Sequence, residues 1–267
     1  MNDSEQRRYV ITLGTGRFRE PGAAPLPGVD HDLEAVARVF ADFGYRQALR
    51  GLGEYESADS IRQRLRFWCR DESIGDDLLV VYFAGHGVVD DRHYLMCWDT
   101  DPDDPAGTVL PTEELVRVLV NGGVRHLLLI IDTCYGGVGA AEAVQIALRR
   151  VAKALSGDQW TNLWFLTSAR SQEPAYDKAF AKALPAALTA VTGRSGQRQE
   201  FLDVHDLVGE ISSIFGRRKL DQRAELVLAR SFGVAPFLPN GRYRAELPPL
   251  GTDLETQHRA AARGPDR

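Results

Sequence analysis

The sequence predicts an α/β fold: a three-layer sandwich in which helices cover both faces of a mostly parallel central sheet of about six strands. Two observations carry this. Short apolar runs alternate along the chain with longer segments of helical periodicity, the signature of strand–helix–strand units. Two of those runs, 78–84 (LLVVYFA) and 127–131 (LLLII), are apolar without alternation, as central strands buried on both faces must be.

The elements follow in order. Residues 9–13 read as a first strand, and a Gly- and Pro-rich loop, 14–28, follows it. A helix is predicted over 30–43, with Leu33, Val36, Ala37, Val39 and Phe40 at helical spacing, Asp30 as its N-cap and Gly44 as its stop. A second strand is predicted over 47–52. A second helix starts near Ser57 or Ser60 and carries Ile61, Leu65, Phe67 and Trp68. Between the two strong strands lies a helix over 112–120, opened by Pro111. After the second come a glycine turn (135–139), a helix over 142–155 and a strand over 163–167. Further helices are expected at 180–191 and 202–215, and a last strand at 234–238. The segment from 250 onward is polar and aperiodic, so one domain spanning 1–245 is expected, with a disordered tail at 246–267.

Composition narrows the function. Lys and Arg number 32 against 37 Asp and Glu, a net charge of −5, and no long basic stretch offsets it. Phosphate recognition draws its affinity from clustered Lys and Arg, so a nucleic-acid partner is not expected. No run approaches the roughly 18 apolar residues needed to span a bilayer, and the N-terminal residues lack a secretory apolar core, so no membrane association is expected. The three cysteines, Cys69, Cys97 and Cys134, cannot all pair and contain no Cys-x-x-Cys. Neither a disulfide framework nor a zinc site is indicated, and a reducing cytoplasm fits. The abundance of Ala, Arg, Asp and Gly suggests a bacterial, GC-rich source.

Ligands of an open parallel sheet bind beyond the carboxyl ends of its strands. The two strong strands end in AGHG and IIDTCYGG, which place His86 and Cys134 just past their ends. If those strands are neighbours, the two residues share one crevice. A thiol beside an imidazole forms a nucleophile and base pair, because thiolate is the reactive species and imidazolium favours it. The backbone N–H groups of Gly87 and Cys134 are the candidate oxyanion donors. His31, His93, His126, His205 and His258 lack such a glycine setting, as do Cys69 and Cys97, and read as ordinary packing or surface residues. A cysteine phosphatase is disfavoured, since no Arg follows Cys134 to clamp phosphate.

AGHG and IIDTCYGG, each after a buried strand, resemble the His and Cys motifs of the caspase-like cysteine peptidases, the family of caspases, paracaspases and metacaspases. The separation of 48 residues (134 − 86) agrees with the general caspase spacing of roughly 50. LPGVDHDLEAVARVFADFGY resembles the family's first helix, HYLMCWDTD its strand and acidic turn after the His, and TSARSQEPAYD its segment after the following strand. The likeness covers residues 8–240. Asp132-Thr133 before the nucleophile is closer to the Asp-Ser-Cys of metacaspases than to the Gln-Ala of vertebrate caspases. Tyr135-Gly136-Gly137 departs from the metacaspase His-Ser-Gly, and no adaptor region is expected before the catalytic pattern.

The resemblance implies a cysteine endopeptidase without a cofactor, with His86 as base and Cys134 as nucleophile. Carried over by motif, Asp32 and Asp132 are substrate-binding carboxylates, which implies cleavage after Arg or Lys. Asp32 has a competing explanation, since an acidic residue in a helix's first turn favours the dipole anyway. Asp99, Asp101, Asp103 and Asp104 cluster as calcium ligands would, but they lack EF-hand spacing and read as a solvated turn, so no metal is expected. Arg149, Arg150 and Lys153 lie where family members are processed, although they also suit the wet face of a helix. A regulated effector in bacterial stress or antiphage defence, with a partner encoded elsewhere, is the expectation by analogy. The alternative is a silent caspase-like scaffold that binds protein partners.

Overall fold

A computed structural model of the chain describes residues 6–20, 22–89, 92–101, 104–135, 162–171, 179–220, 222–231 and 235–245. The apolar runs become strands: β1 (Arg8–Gly14), β2 (Arg46–Leu52), β3 (Leu78–Val89), β6 (His126–Tyr135) and β7 (Asn162–Ser171). Two short strands, β4 (His93–Leu95) and β5 (Leu110–Pro111), and a long one, β8 (Gln222–Ser231), complete the set. The helices are α1 (Val29–Ala41), α2 (Ala58–Glu72), a single turn α3 (Pro105–Thr108), α4 (Thr112–Asn121), α5 (Ala179–Ser195) and α6 (Val204–Arg217).

The main sheet runs β2-β1-β3-β6-β7-β8, parallel throughout except β8, which is antiparallel to β7. Side chains alternate along the central strands and so feed two cores. Leu79, Val81, Phe83, Leu129 and Ile131 meet Ile61 and Leu65 of α2 and Leu115 and Leu119 of α4. Val80, Tyr82, Leu128 and Ile130 meet Phe40 of α1, Phe180 and Leu184 of α5, and Ile211 and Phe215 of α6. Fully burying each of these large side chains contributes about 1.5–3 kcal/mol, which is why the runs at 78–84 and 127–131 tolerate no polar alternation. The result is the predicted three-layer sandwich.

Strand order reverses between β1 and β3: β2 lies on one side of β1, and every later strand of the main sheet lies on the other. Correspondingly α1 packs on one face and α2 on the opposite face. Such a reversal opens a crevice at the carboxyl ends of the two strands. There β1 and β3 approach closely. Gly14, opposite Ala84, has φ 147°, and a Cβ on it would fall 1.9 Å from the Ala84 carbonyl oxygen.

Two local expectations are corrected. Gly28, not Asp30, is the N-cap of α1; Asp30 sits within the first turn, and its carboxylate is taken by Arg17 at 2.8 Å. The last strand is Gln222–Ser231, not 234–238. Residues 236–238 form a turn that buries Phe237 and Leu238 in the α1-side core, and the Tyr45 hydroxyl donates to the Phe237 carbonyl at 2.7 Å. The expected helix over 142–155 and the tail at 246–267 lie outside the described residues.

Candidate active site

The sequence places His86 and Cys134 just past two strand ends; in the structure the strands continue through both. β3 and β6 stay in unbroken parallel register from Leu78↔His126 to Gly87↔Tyr135, and this register includes Ala84↔Asp132 and His86↔Cys134. Glycines on either side of His86 do not end β3, because β6 pairs with it there and β4 takes up Gly87 opposite Leu95. Adjacent strands lie about 4.8 Å apart, so the backbones at positions 86 and 134 are immediate neighbours at the sheet's carboxyl edge.

The His86 ring is partly exposed and held by the loop that follows β1. Its Nε2 lies 2.8 Å from the carbonyl oxygen of Ala24. A carbonyl can only accept, so Nε2 carries the hydrogen, and Nδ1 of the neutral ring is left with the lone pair. One ring face stacks on Phe18, with centroids 5.3 Å apart and planes at 28°. The loop is itself tied down. The Leu26 N–H donates to the Gly16 carbonyl at 2.8 Å, the Arg19 N–H to the Trp98 carbonyl at 2.8 Å, and Arg17 bridges Asp30 and Glu54.

The two acidic residues singled out in the sequence act on one buried phenol. The Tyr82 hydroxyl donates to Asp132 Oδ2 at 3.0 Å. Burial first, and then the negative charges of Asp132 and Asp32, hold that hydroxyl well above the usual tyrosine range. Asp32 lies in the first turn of α1 and is only 7% exposed. A buried carboxylate needs donors or cations around it, and Tyr82 supplies one donor to Asp132.

The remaining candidates separate from this site. Cys69 and Cys97 are buried and free, and desolvation pushes both thiols up to about 12. His93 is fully buried, its Nδ1 lies 2.6 Å from Thr112 Oγ1, and burial lowers it to about 3. The acidic turn after β4 is knitted by threonines: the Cys97 N–H donates to Thr100 Oγ1 and the Asp101 N–H to Thr108 Oγ1. Asp103 and the Arg149–Lys153 segment lie outside the described residues. Among the described residues, no three His, Cys, Asp or Glu side chains are arranged to hold a metal ion, and no helix is long and apolar enough to cross a membrane.

Three contributors were not singled out from sequence. Tyr82 carried a readable signal, because a phenol within VVYFA must find a partner for its hydroxyl. Phe18 gave only an apolar residue in a loop. The Ala24 carbonyl is main chain and has no signature.

A family model of the caspase domain matches residues 7–226. The chain therefore belongs to the caspase-domain family, a family of cysteine peptidases, whose substrates are proteins. It is similar to a solved structure described as pro-sf-caspase-1, with a TM-score of 0.53 and 14% identity over 84% of this chain and 92% of that one. At that identity the likeness speaks for the mixed α/β fold alone. No curated protein matches the chain.

Proposed function

We propose that the chain is a cysteine endopeptidase working through a His86–Cys134 dyad and cleaving after Arg or Lys. The observation that carries this reading is the direct register of His86 with Cys134 on neighbouring parallel strands. His86 Nδ1 accepts the thiol proton and leaves a thiolate beside an imidazolium. The thiolate attacks the scissile carbonyl, and the backbone N–H groups of Gly87 and Cys134 receive the developing oxyanion. As the C–N bond breaks, the imidazolium returns its proton to the leaving amine. His86 then takes a proton from water, which attacks the acyl-enzyme and releases the new carboxylate with the thiolate.

The proposed preference for a basic residue rests on Asp32 and Asp132. Asp132 accepts from the buried Tyr82 hydroxyl and Asp32 acts on the same hydroxyl through its charge, so both lie at one end of the sheet, and carboxylates are the groups that would bind a substrate guanidinium by charge-assisted hydrogen bonds. Activity as a regulated cytoplasmic effector in bacterial defence extends the same reading by analogy with the family.

The test is hydrolysis of fluorogenic peptides with Arg, Lys or Asp at the cleavage position, by the wild type and by Cys134→Ala and His86→Ala variants. Cleavage after Arg or Lys that both substitutions abolish is the expected result. Hydrolysis retained by Cys134→Ala refutes the dyad, and preference for Asp refutes the pocket.

A further inference from the structure

We infer that Phe18 is a positioning residue for His86, fixing the plane of the imidazole while the Ala24 carbonyl fixes its direction. The inference rests on the dyad proposed above. A histidine ring turns in a broad torsional well about its Cβ–Cγ bond. One hydrogen bond from Nε2 constrains where that nitrogen points, but leaves the ring free to rock about the bond. A flat apolar face against the ring removes that remaining freedom.

Phe18 is suited to this and to little else. It belongs to neither hydrophobic core, although phenylalanines 40, 83, 165, 180, 215 and 237 all do. A half-buried phenyl ring on a loop gains little stability there, and among the described residues its one aromatic partner is the His86 ring, 5.3 Å away at 28°. The stacked face and the accepted hydrogen bond come from the same loop, six residues apart (24 − 18). That loop is anchored on both sides of the crevice, by Arg17 to Asp30 and Glu54, and by the Arg19 N–H to the Trp98 carbonyl. The neutral ring is thereby confined to one tautomer and one plane, with Nδ1 as the ring nitrogen not bonded to Ala24.

The experiment compares Phe18→Leu, which keeps an apolar side chain but loses the flat face, with Phe18→Tyr, which keeps the face. Long-range proton–nitrogen spectra of the imidazole report the tautomer directly. The wild type and Phe18→Tyr should show the hydrogen on Nε2, and Phe18→Leu an averaged signal. In steady-state assays Phe18→Leu should lose about 10-fold in kcat with KM within about twofold, as expected for a misplaced base and intact substrate binding. Phe18→Tyr should restore kcat, and the melting temperatures of all three should agree.

An unchanged imidazole spectrum and kcat in Phe18→Leu overturn the inference, as does failure of Phe18→Tyr to restore them. If the wild type shows no Cys134-dependent hydrolysis, the peptidase reading fails instead. The imidazole spectra still decide whether Phe18 orients the ring.

Discussion

The Tyr82 hydroxyl donates to Asp132 Oδ2 at 3.0 Å, so the carboxylate two positions before Cys134 is held by a side chain from the neighbouring strand. This hydrogen bond ties the proposed specificity pocket to the centre of the sheet. Substituting Asp132→Asn keeps the shape and removes the charge. For a peptide with Arg at the cleavage position, kcat/KM should fall about 100-fold, the scale of losing one partner of a buried charge pair. A peptide with a neutral residue there should lose far less. Equal losses on both peptides would show that Asp132 does not read the cleavage residue.

Thiol labelling should be confined to one site. Cys69 and Cys97 are buried, with thiols pushed up to about 12, so neither offers thiolate or access near neutrality. Iodoacetamide at pH 7 should modify the native protein once, at Cys134, and His86→Ala should slow that reaction. Mass spectrometry of tryptic peptides reads the site. Labelling of Cys69 or Cys97 in the folded protein would contradict the packing described above.

Gly14 and Gly44 should answer differently to alanine. At Gly14 a Cβ would meet the Ala84 carbonyl oxygen at 1.9 Å, and the backbone there is part of the β1–β3 ladder. Gly14→Ala should cost about 3 kcal/mol or more, because two central strands must move apart. Gly44, at φ 81°, has nothing within 4 Å of the added carbon. Gly44→Ala carries only the strain of a left-handed residue, about 1 kcal/mol. Urea unfolding separates the two, and equal costs would falsify the close approach at Gly14.

His93 gives the fold an acid-side weakness. Burial lowers it from 6.5 to about 3, so between those values the unfolded chain binds a proton that the folded one does not. Stability therefore falls as pH drops from about 6.5 toward about 3, by on the order of 4 kcal/mol over the window. Burial lowers His126 as well, and it acts in the same sense. A His93→Gln variant should begin less stable at pH 7 and lose less over that range. A pH dependence parallel to the wild type's would remove His93 as its source.

The parts of the fold that were legible in the sequence are those where burial dictates residue type. β1, β3, β6 and β7 are central, and their apolar runs have no other use. β8 is not legible in the sequence because Arg223, Glu225 and Arg230 interrupt the apolar pattern of Gln222–Ser231. The apolar residues Phe237 and Leu238 mimicked a strand yet fill the α1-side core from a turn. β3 and β6 run beyond their apolar runs because strand pairing carries both strands through Gly85, Gly87 and Asp132, where propensity alone would stop them. At the site, the residues that stand in glycine-rich motifs were readable. The Ala24 carbonyl and the Phe18 ring were not, since their role depends on how one loop folds back over β3.

The ladder between β3 and β6 also sets when the pairing of residues 86 and 134 can exist at all. Those positions are 48 residues apart in sequence (134 − 86), and no local hairpin brings them together. Parallel partners need a crossover connection, so closure of this pair waits for a long loop. A chain still emerging from the ribosome carries the imidazole and the thiol as unrelated groups, and so does a denatured one. Neighbouring nascent chains are spared whatever the two accomplish jointly until the centre of the sheet has formed.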